Sequence, residues 1–403
     1  MMIWSRFVFI FHLILISSLL LGVNNFQAHA ATYKPQLIGV DMLGYYTSSP
    51  QTREFKDPLP ENYFDDSFRL ISQAGMNHIR FVYFWESYVK DPISFMNEIK
   101  FVASAADKYG LKVVYDNHQF HTSSWLNPQR GTGFPSFLFQ NNSQFAYGSG
   151  GGPKYPAAAV WWERWWDRKV TDINGTDGWT LLSQFLKGLA KEVDSHPSTV
   201  GYEILSEPQV HNSSQWKKIG KFNSFITSEL RTVTAKNIIF SMTIPVDLKS
   251  PIGVNATNLA MMAPTDKTNV LFKFSLYGLP KPGSYQEQRL KMFVGTGQIA
   301  GVPIYVGEWN NVDREPTVNE EGDVVYEINP ETSNITPGET QEILNKFNEV
   351  KVFGWAFWHW NFRSHRVDNF NLVITGSNGS LQTTQYYDTL KNAIRTTYGN
   401  TKG

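Results

Sequence analysis

The chain has 403 residues, 41% hydrophobic and 15% aromatic, enough for one large core or two modest ones. Lys plus Arg equals 36 and Asp plus Glu equals 36, so the formal charge is zero and no basic block offers a face to phosphates, which argues against nucleic acid as a partner. There is no cysteine, so stability has to come from the core rather than from disulfides.

The N-terminus carries Arg6, an apolar stretch from Phe7 to Val23, and Ala28, His29, Ala30 as a small-residue cleavage site. This pattern predicts a signal peptide over residues 1–30 and a secreted product, with an uncleaved anchor as the alternative because the stretch is close to spanning length. From residue 31 onward, strand-like runs alternate with helix-like ones. The predicted strands are Leu37 to Leu43, His78 to Phe84, Leu111 to Asp116, Thr199 to Leu205, Asn237 to Met242, Val270 to Ser275, Pro303 to Gly307 and Val352 to Trp358. Helices are predicted at 61–74, 93–109, 178–194, 214–234, 255–262, 284–300, 338–349 and 384–396, the first two stopped by Gly75 and Gly110. Eight such units predict an α/β fold, a single (β/α)8 TIM barrel over 31–403, whose catalytic groups gather on the loops after the strands. Two of those loops are long: about 60 residues after strand three, and Asp313 to Thr336 after strand seven. Both are expected to shape a cleft or lid, or else to be ornamental insertions.

Two carboxylates stand where buried strands run out. Glu207 follows the run from Thr199 to Ser206 and precedes Pro208; Glu308 follows Val302 to Gly307 and precedes Trp309 and Asn310. Either alone reads as a strand-end acid paired with Lys or Arg. Together they suit glycoside hydrolysis, in which one acid protonates the leaving oxygen and the other attacks the anomeric carbon. Other strand ends carry Arg80, then Asp116, Asn117 and His118, then Tyr277, then Trp358, His359 and Trp360. Singly, each has a structural reading as an ion pair, a core imidazole or a barrel filler; their convergence at one barrel end argues for a site. The 13 Trp, 18 Tyr and 28 Phe exceed what core packing needs, and sugar platforms would use the surplus. Trp125 is the better-placed subsite candidate. The segment Trp161, Trp162, Glu163, Arg164, Trp165, Trp166 reads equally as a second platform or as a hydrophobic anchor for the long loop.

Over residues 35–398 the sequence resembles glycoside hydrolase family 5, the cellulase-like family of clan A. The resemblance rests on Gly75 to Arg80, on Asp116 to His118, on Ser206, Glu207, Pro208, on Gly307, Glu308, Trp309, and on Trp358. It implies that Glu207 is the general acid/base and Glu308 the nucleophile of a retaining β-glycosidase. Arg80 would then keep Glu308 ionised, Tyr277 would donate a hydrogen bond to it, His118 would touch the sugar, and Trp358 would stack beneath the reactive ring. The implied substrate is a β-linked oligo- or polysaccharide, with an endo-β-1,4-glucanase as the leading reading. A β-mannan, chitosan or a glycolipid headgroup are alternatives, as is a non-catalytic carbohydrate-binding protein on the same scaffold. No cofactor or metal is implied, although Glu320, Glu321 and Asp323 could hold a structural calcium instead of forming a solvated loop, and a monomer is expected. Two positions depart from the family pattern. Ser206 stands where Asn would bind the sugar 2-hydroxyl, and Ser275 stands where His would precede the Tyr. The contact at carbon 2 and the hydrogen bonds around the nucleophile are therefore expected to differ.

Overall fold

The computed structural model describes residues 33–399 except 51, 54–56, 60–61, 312–313, 319–323, 329–335, 363–369 and 376–379. The signal-like stretch 1–30 and the acidic Glu320, Glu321 and Asp323 lie outside the described residues. Eight parallel strands close into a barrel: β1 (Leu37–Leu43), β2 (His78–Tyr83), β3 (Lys112–Asn117), β4 (Thr199–Glu203), β5 (Asn237–Ser241), β6 (Val270–Tyr277), β7 (Ile304–Asn310) and, after an antiparallel hairpin of β8 (Arg314–Val318) and β9 (Val324–Ile328), β10 (Gly354–Phe357). Strand order is sequential around the ring, and β1 pairs with β10 to shut it. A small hairpin of β11 (Val373–Thr375) and β12 (Leu381–Thr383) follows.

The helices between strands lie within a few residues of their predicted places, at Asn62–Gln73, Pro92–Lys108, Gly178–Val193, Gln215–Arg231, Ala256–Ala260, Tyr285–Ala300, Pro337–Glu349 and Gln385–Tyr398. Their ends follow from local chemistry. Asp91 accepts a hydrogen bond from the Ser94 amide ahead of Pro92, whose missing N–H is no loss in a first turn. Gly75 and Gly110 adopt positive φ just past the first two helices, a conformation that costs glycine nothing. Two further helices were not foreseen as helices: Trp85–Lys90 and Pro156–Trp166.

The second of these decides between the two readings of the tryptophan segment. Trp161, Trp162, Trp165 and Trp166 are all buried, with Trp161 stacked on Trp165 at 5.3 Å and both Trp165 and Trp166 edge-on to Phe222. They anchor the long β3 connection to the barrel's helical coat and form no sugar platform. Burial of four indoles at helical spacing is a strong apolar driving force, since each hides a large area from water.

Inside the ring the strands alternate. At the N-terminal end Leu37, Val114, Ile239, Leu271 and Tyr305 form an apolar plug. One pleat further along, Asp41, Arg80, Asp116, Glu203, Lys273 and Glu308 form a charged layer in which every side chain is buried. Position along the barrel thus separates the part that holds the fold from the part that does chemistry.

Candidate active site

The charged layer is organised around Arg80. Its guanidinium lies 2.7 Å from Asp41, 2.8 Å from Asp116, 2.8 Å from Glu203 and 3.2 Å from Glu308, and its side chain has no solvent exposure. A planar fork with five N–H donors can serve several carboxylates at once, which an ammonium of the same charge cannot do in fixed geometry. The same group also donates to Ser206 Oγ at 3.1 Å.

Glu308 reaches this layer by a local irregularity. Pairing of β6 with β7 runs Phe274 to Val306 and then Ser275 to Glu308, so Gly307 is the extra residue of a bulge. Tyr305 faces the barrel interior, and strict alternation would send Gly307 and Trp309 inward and Glu308 out toward the helices. The bulge reverses that: Glu308 turns inward, while Trp309 packs edge-on against Phe347, Trp355 and Phe357. Glu308 then accepts hydrogen bonds from Lys273 Nζ at 2.8 Å and Arg80 at 3.2 Å on one oxygen, and from the Tyr277 hydroxyl at 2.6 Å on the other. Burial opposes ionisation of this carboxyl, but the positive charges of Lys273 and Arg80 outweigh it and hold the group well below the usual carboxylate range.

Glu207 stands on different ground. Strand β4 ends at Glu203, four residues earlier than the predicted strand tip, and the backbone at Glu207 takes φ 45°, the left-handed region that a non-glycine residue enters only at a cost. Neighbours fix it there. The Gln119 amide donates to the Ser206 and Glu207 carbonyls at 3.1 and 2.7 Å, and the Glu207 amide donates to Ser241 Oγ at 3.1 Å. The carboxylate points to the open end, with 20% of its side chain exposed, and accepts from Ser275 Oγ at 2.5 Å.

Lys273 Nζ stands between the two acids, 2.8 Å from Glu308 Oε1 and 3.5 Å from Glu207 Oε1. Those oxygens can be no farther apart than the sum of the two distances.

The predicted site residues divide as follows. Arg80, Ser206, Tyr277 and Glu308 meet in one hydrogen-bonded cluster, and Glu207 adjoins it through the Lys273 ammonium at 3.5 Å. His118 joins through Asp116, whose carboxylate lies 2.7 Å from its Nδ1, and its ring stacks against Trp358 with centroids 5.7 Å apart. Ser206 is fully buried beneath the acids and accepts from Arg80 and Lys273, so it supports the cluster and does not face the cleft. Trp125 lies on the β3 connection, half-buried, with its indole N–H donating to the Phe145 carbonyl at 2.8 Å and its ring edge-on to exposed Tyr147. Sequence reading missed Asp41, Glu203, Lys273 and Gln119. The available signal was period two: Lys273, Ser275 and Tyr277 sit at i, i+2 and i+4 on one strand and must share a face. Among the described residues, no group of three or more His, Asp or Glu is arranged to hold a metal ion.

Glu203 offers a direct test of this layer. Burial, with the nearby Asp116 charge, raises its carboxyl from 4.5 to about 7 against the pull of Arg80 and Lys273. A carboxyl that binds its proton more tightly when folded favours the folded state fully below its unfolded range. That contribution is lost as pH rises from about 4.5 to about 7. Urea midpoints measured across this window should therefore fall as pH rises, and Glu203→Gln should flatten the slope; an unchanged slope would mean the proton is held elsewhere.

Comparison with known proteins agrees with the geometry. The model of the glycosyl hydrolase family 5 cellulases matches residues 49–364. No curated protein matches the sequence. Among solved structures, an endogalactoceramidase aligns with TM-score 0.64 and 17% identity, covering 90% of this chain and 82% of that one. Endo-glycoceramidase II from Rhodococcus sp. aligns at 0.61 and 16%, covering 89% and 79%. An endo-β-1,4-glucanase from Xanthomonas axonopodis pv. citri aligns at 0.57 and 17%, covering 89% and 99%. These likenesses are of fold, a closed eight-stranded barrel with helices between its strands. The family match spans most of that barrel and includes both acids, and the chain accordingly belongs to glycosyl hydrolase family 5, as a hydrolase of glycosidic bonds.

Proposed function

We propose that the chain cleaves a β-linked glucoside by double displacement, with Glu308 as nucleophile and Glu207 as general acid/base. The observation that carries this reading is the unequal treatment of two neighbouring carboxylates. Glu308 is buried against Lys273 and Arg80 and stays ionised, while Glu207 stands at the rim beside Ser275. In the first step a Glu308 oxygen bonds to the anomeric carbon, the bond to the leaving oxygen breaks with its electron pair, and Glu207 gives that oxygen its proton. In the second, Glu207 takes a proton from water, whose oxygen attacks the same carbon, and the ester breaks with its pair returning to Glu308. Arg80 and Tyr277 favour the charged nucleophile at the start and at the end of the cycle. Trp358, in contact with His118 and Phe362, supplies the stacking face under the sugar, and Trp125 a more distant subsite. Glu207→Ala should lose turnover on substrates with poor leaving groups, and azide should restore it on an activated aryl glycoside as a glycosyl azide. Full activity without azide would sink the acid/base role.

For the substrate, the leading reading is the interior of a β-1,4-glucan. A second reading, a glycolipid headgroup, is favoured by Phe120, Tyr147 and Tyr155, which are exposed on the connection that follows His118 and would suit an apolar aglycone. Two of the structures above, the endo-glycoceramidase and the endogalactoceramidase, agree with it. Reducing-end release from β-glucans compared with release from detergent-dispersed glycolipid separates the two. Secretion is part of this proposal and is supported by the signal-like pattern of Arg6, the apolar run and Ala28 to Ala30.

A further inference from the structure

The double-displacement reading leaves one buried charge unexplained. Lys273 lies in the interior of β6 with no exposed side-chain surface. Buried lysines are rare unless paired, and this one is paired with more than a structural partner requires. Its ammonium contacts Glu308 at 2.8 Å, Ser206 Oγ at 3.1 Å, Glu207 at 3.5 Å and Glu203 at 4.0 Å. It therefore touches both carboxylates assigned to the reaction and also Ser206, one of the two serines at which the sequence departs from its family; the other, Ser275, lies two residues along the same strand. Short hydroxyls at 206 and 275 free volume and remove donors next to the acids, and the four-carbon stem of Lys273 brings a charged donor into that space.

The neighbouring strand is built to admit the stem. A Cβ at Gly307 would lie 2.4 Å from Lys273 Cε and 2.6 Å from its Cγ, so any larger residue would push the side chain off its course. The bulge glycine that turns Glu308 inward is thus also the gap through which Lys273 reaches it.

Resting on the assignment of Glu207 and Glu308 above, we infer that Lys273 is a positioning residue that couples the two acids, fixing Glu308 and holding a positive charge against Glu207. The charged groups facing it are Glu308 from β7, Glu203 and Glu207 from β4 and the segment beyond it, and Arg80 from β2. Its ammonium lies within 3.5 Å of both acids, so its removal changes the charge that both work beside and should move the pH profile of the reaction.

The test is the pH dependence of kcat/KM on nitrophenyl β-cellobioside for Lys273→Met, measured in the native and the Glu203→Gln backgrounds so that the Glu203 proton does not set the profile. The basic limb should move up by about one pH unit, the low end for loss of an adjacent opposite charge. Gly307→Ala, which keeps the charge but displaces it, should move the limb the same way by less, and should have no further effect on the limb in Lys273→Ala, as coupled positions behave. A fall in rate with the limb unmoved, or a Gly307→Ala shift that survives in Lys273→Ala, would make Lys273 structural and overturn the inference. A fluorinated dinitrophenyl β-cellobioside keeps the two readings apart. If it labels Glu308 in every variant, a stationary limb counts against Lys273 alone; if it labels another residue, the assignment of the acids fails and the inference falls with it.

Discussion

Glu308→Gln is expected to lower kcat/KM on the order of 10⁵-fold while leaving the fold in place, because an amide cannot form the glycosyl ester. The folded state should tolerate the change. Gln is nearly isosteric, its carbonyl can still accept from Lys273, and Arg80 keeps its contacts with Asp41, Asp116 and Glu203. Loss of activity with a melting transition that is lowered but still cooperative, and with no trapped adduct by mass spectrometry, is the expected pair of results. Undiminished turnover would remove Glu308 from the chemistry altogether.

Arg80→Met should do the reverse and damage the fold first. Four carboxylates share this guanidinium, and its removal leaves them buried around an uncharged thioether. Breaking a buried ion pair by deleting one partner costs about 3 to 5 kcal/mol, since the remaining charge has lost both water and its counterion. The pH dependence gives the cause a signature. Without Arg80, the folded-state carboxyls of Asp41, Glu203 and Glu308 bind protons more tightly than they do in the native protein. The deficit should therefore be largest above neutrality and shrink as pH falls toward the ordinary carboxylate range near pH 4. Urea midpoints of the variant and the native protein should converge on acidification. A gap that widens toward low pH would show that packing around the Arg80 stem, and not charge, is what was lost.

The barrel was legible in the sequence because its strands are β-branched or aromatic runs with glycine stops between them, a pattern with few other folds to satisfy it. Glu207 and Glu308 were legible for a different reason, as acids next to Pro208 and Trp309 where apolar runs end. What lay hidden was orientation. From Tyr305, simple alternation would have turned Glu308 outward; only the bulge at Gly307, set by pairing with β6, turns it in. Similarly, the helical spacing of Trp161, Trp162, Trp165 and Trp166 could be read, but whether those rings faced the cleft or the core depended on Phe222, more than fifty positions away. Asp41, Glu203 and Lys273 went unread because a lone charge within a strand has no local meaning. Their pairing partners arrive from other strands, and Lys273 acquires significance only beside Ser206, whose departure from the family pattern was visible but unexplained.

The charged layer draws one residue from each of six strands, and this has consequences for how the chain can be divided. A fragment ending in the turn before β5 would contain Arg80 with three acids, and the remainder Lys273 with Glu308. The first piece would hold more acids than bases in its interior, and neither could close the β1–β10 seam. Separate halves should therefore assemble only on each other, whereas a circular permutation, which keeps every strand and relocates only the ends, leaves the layer complete.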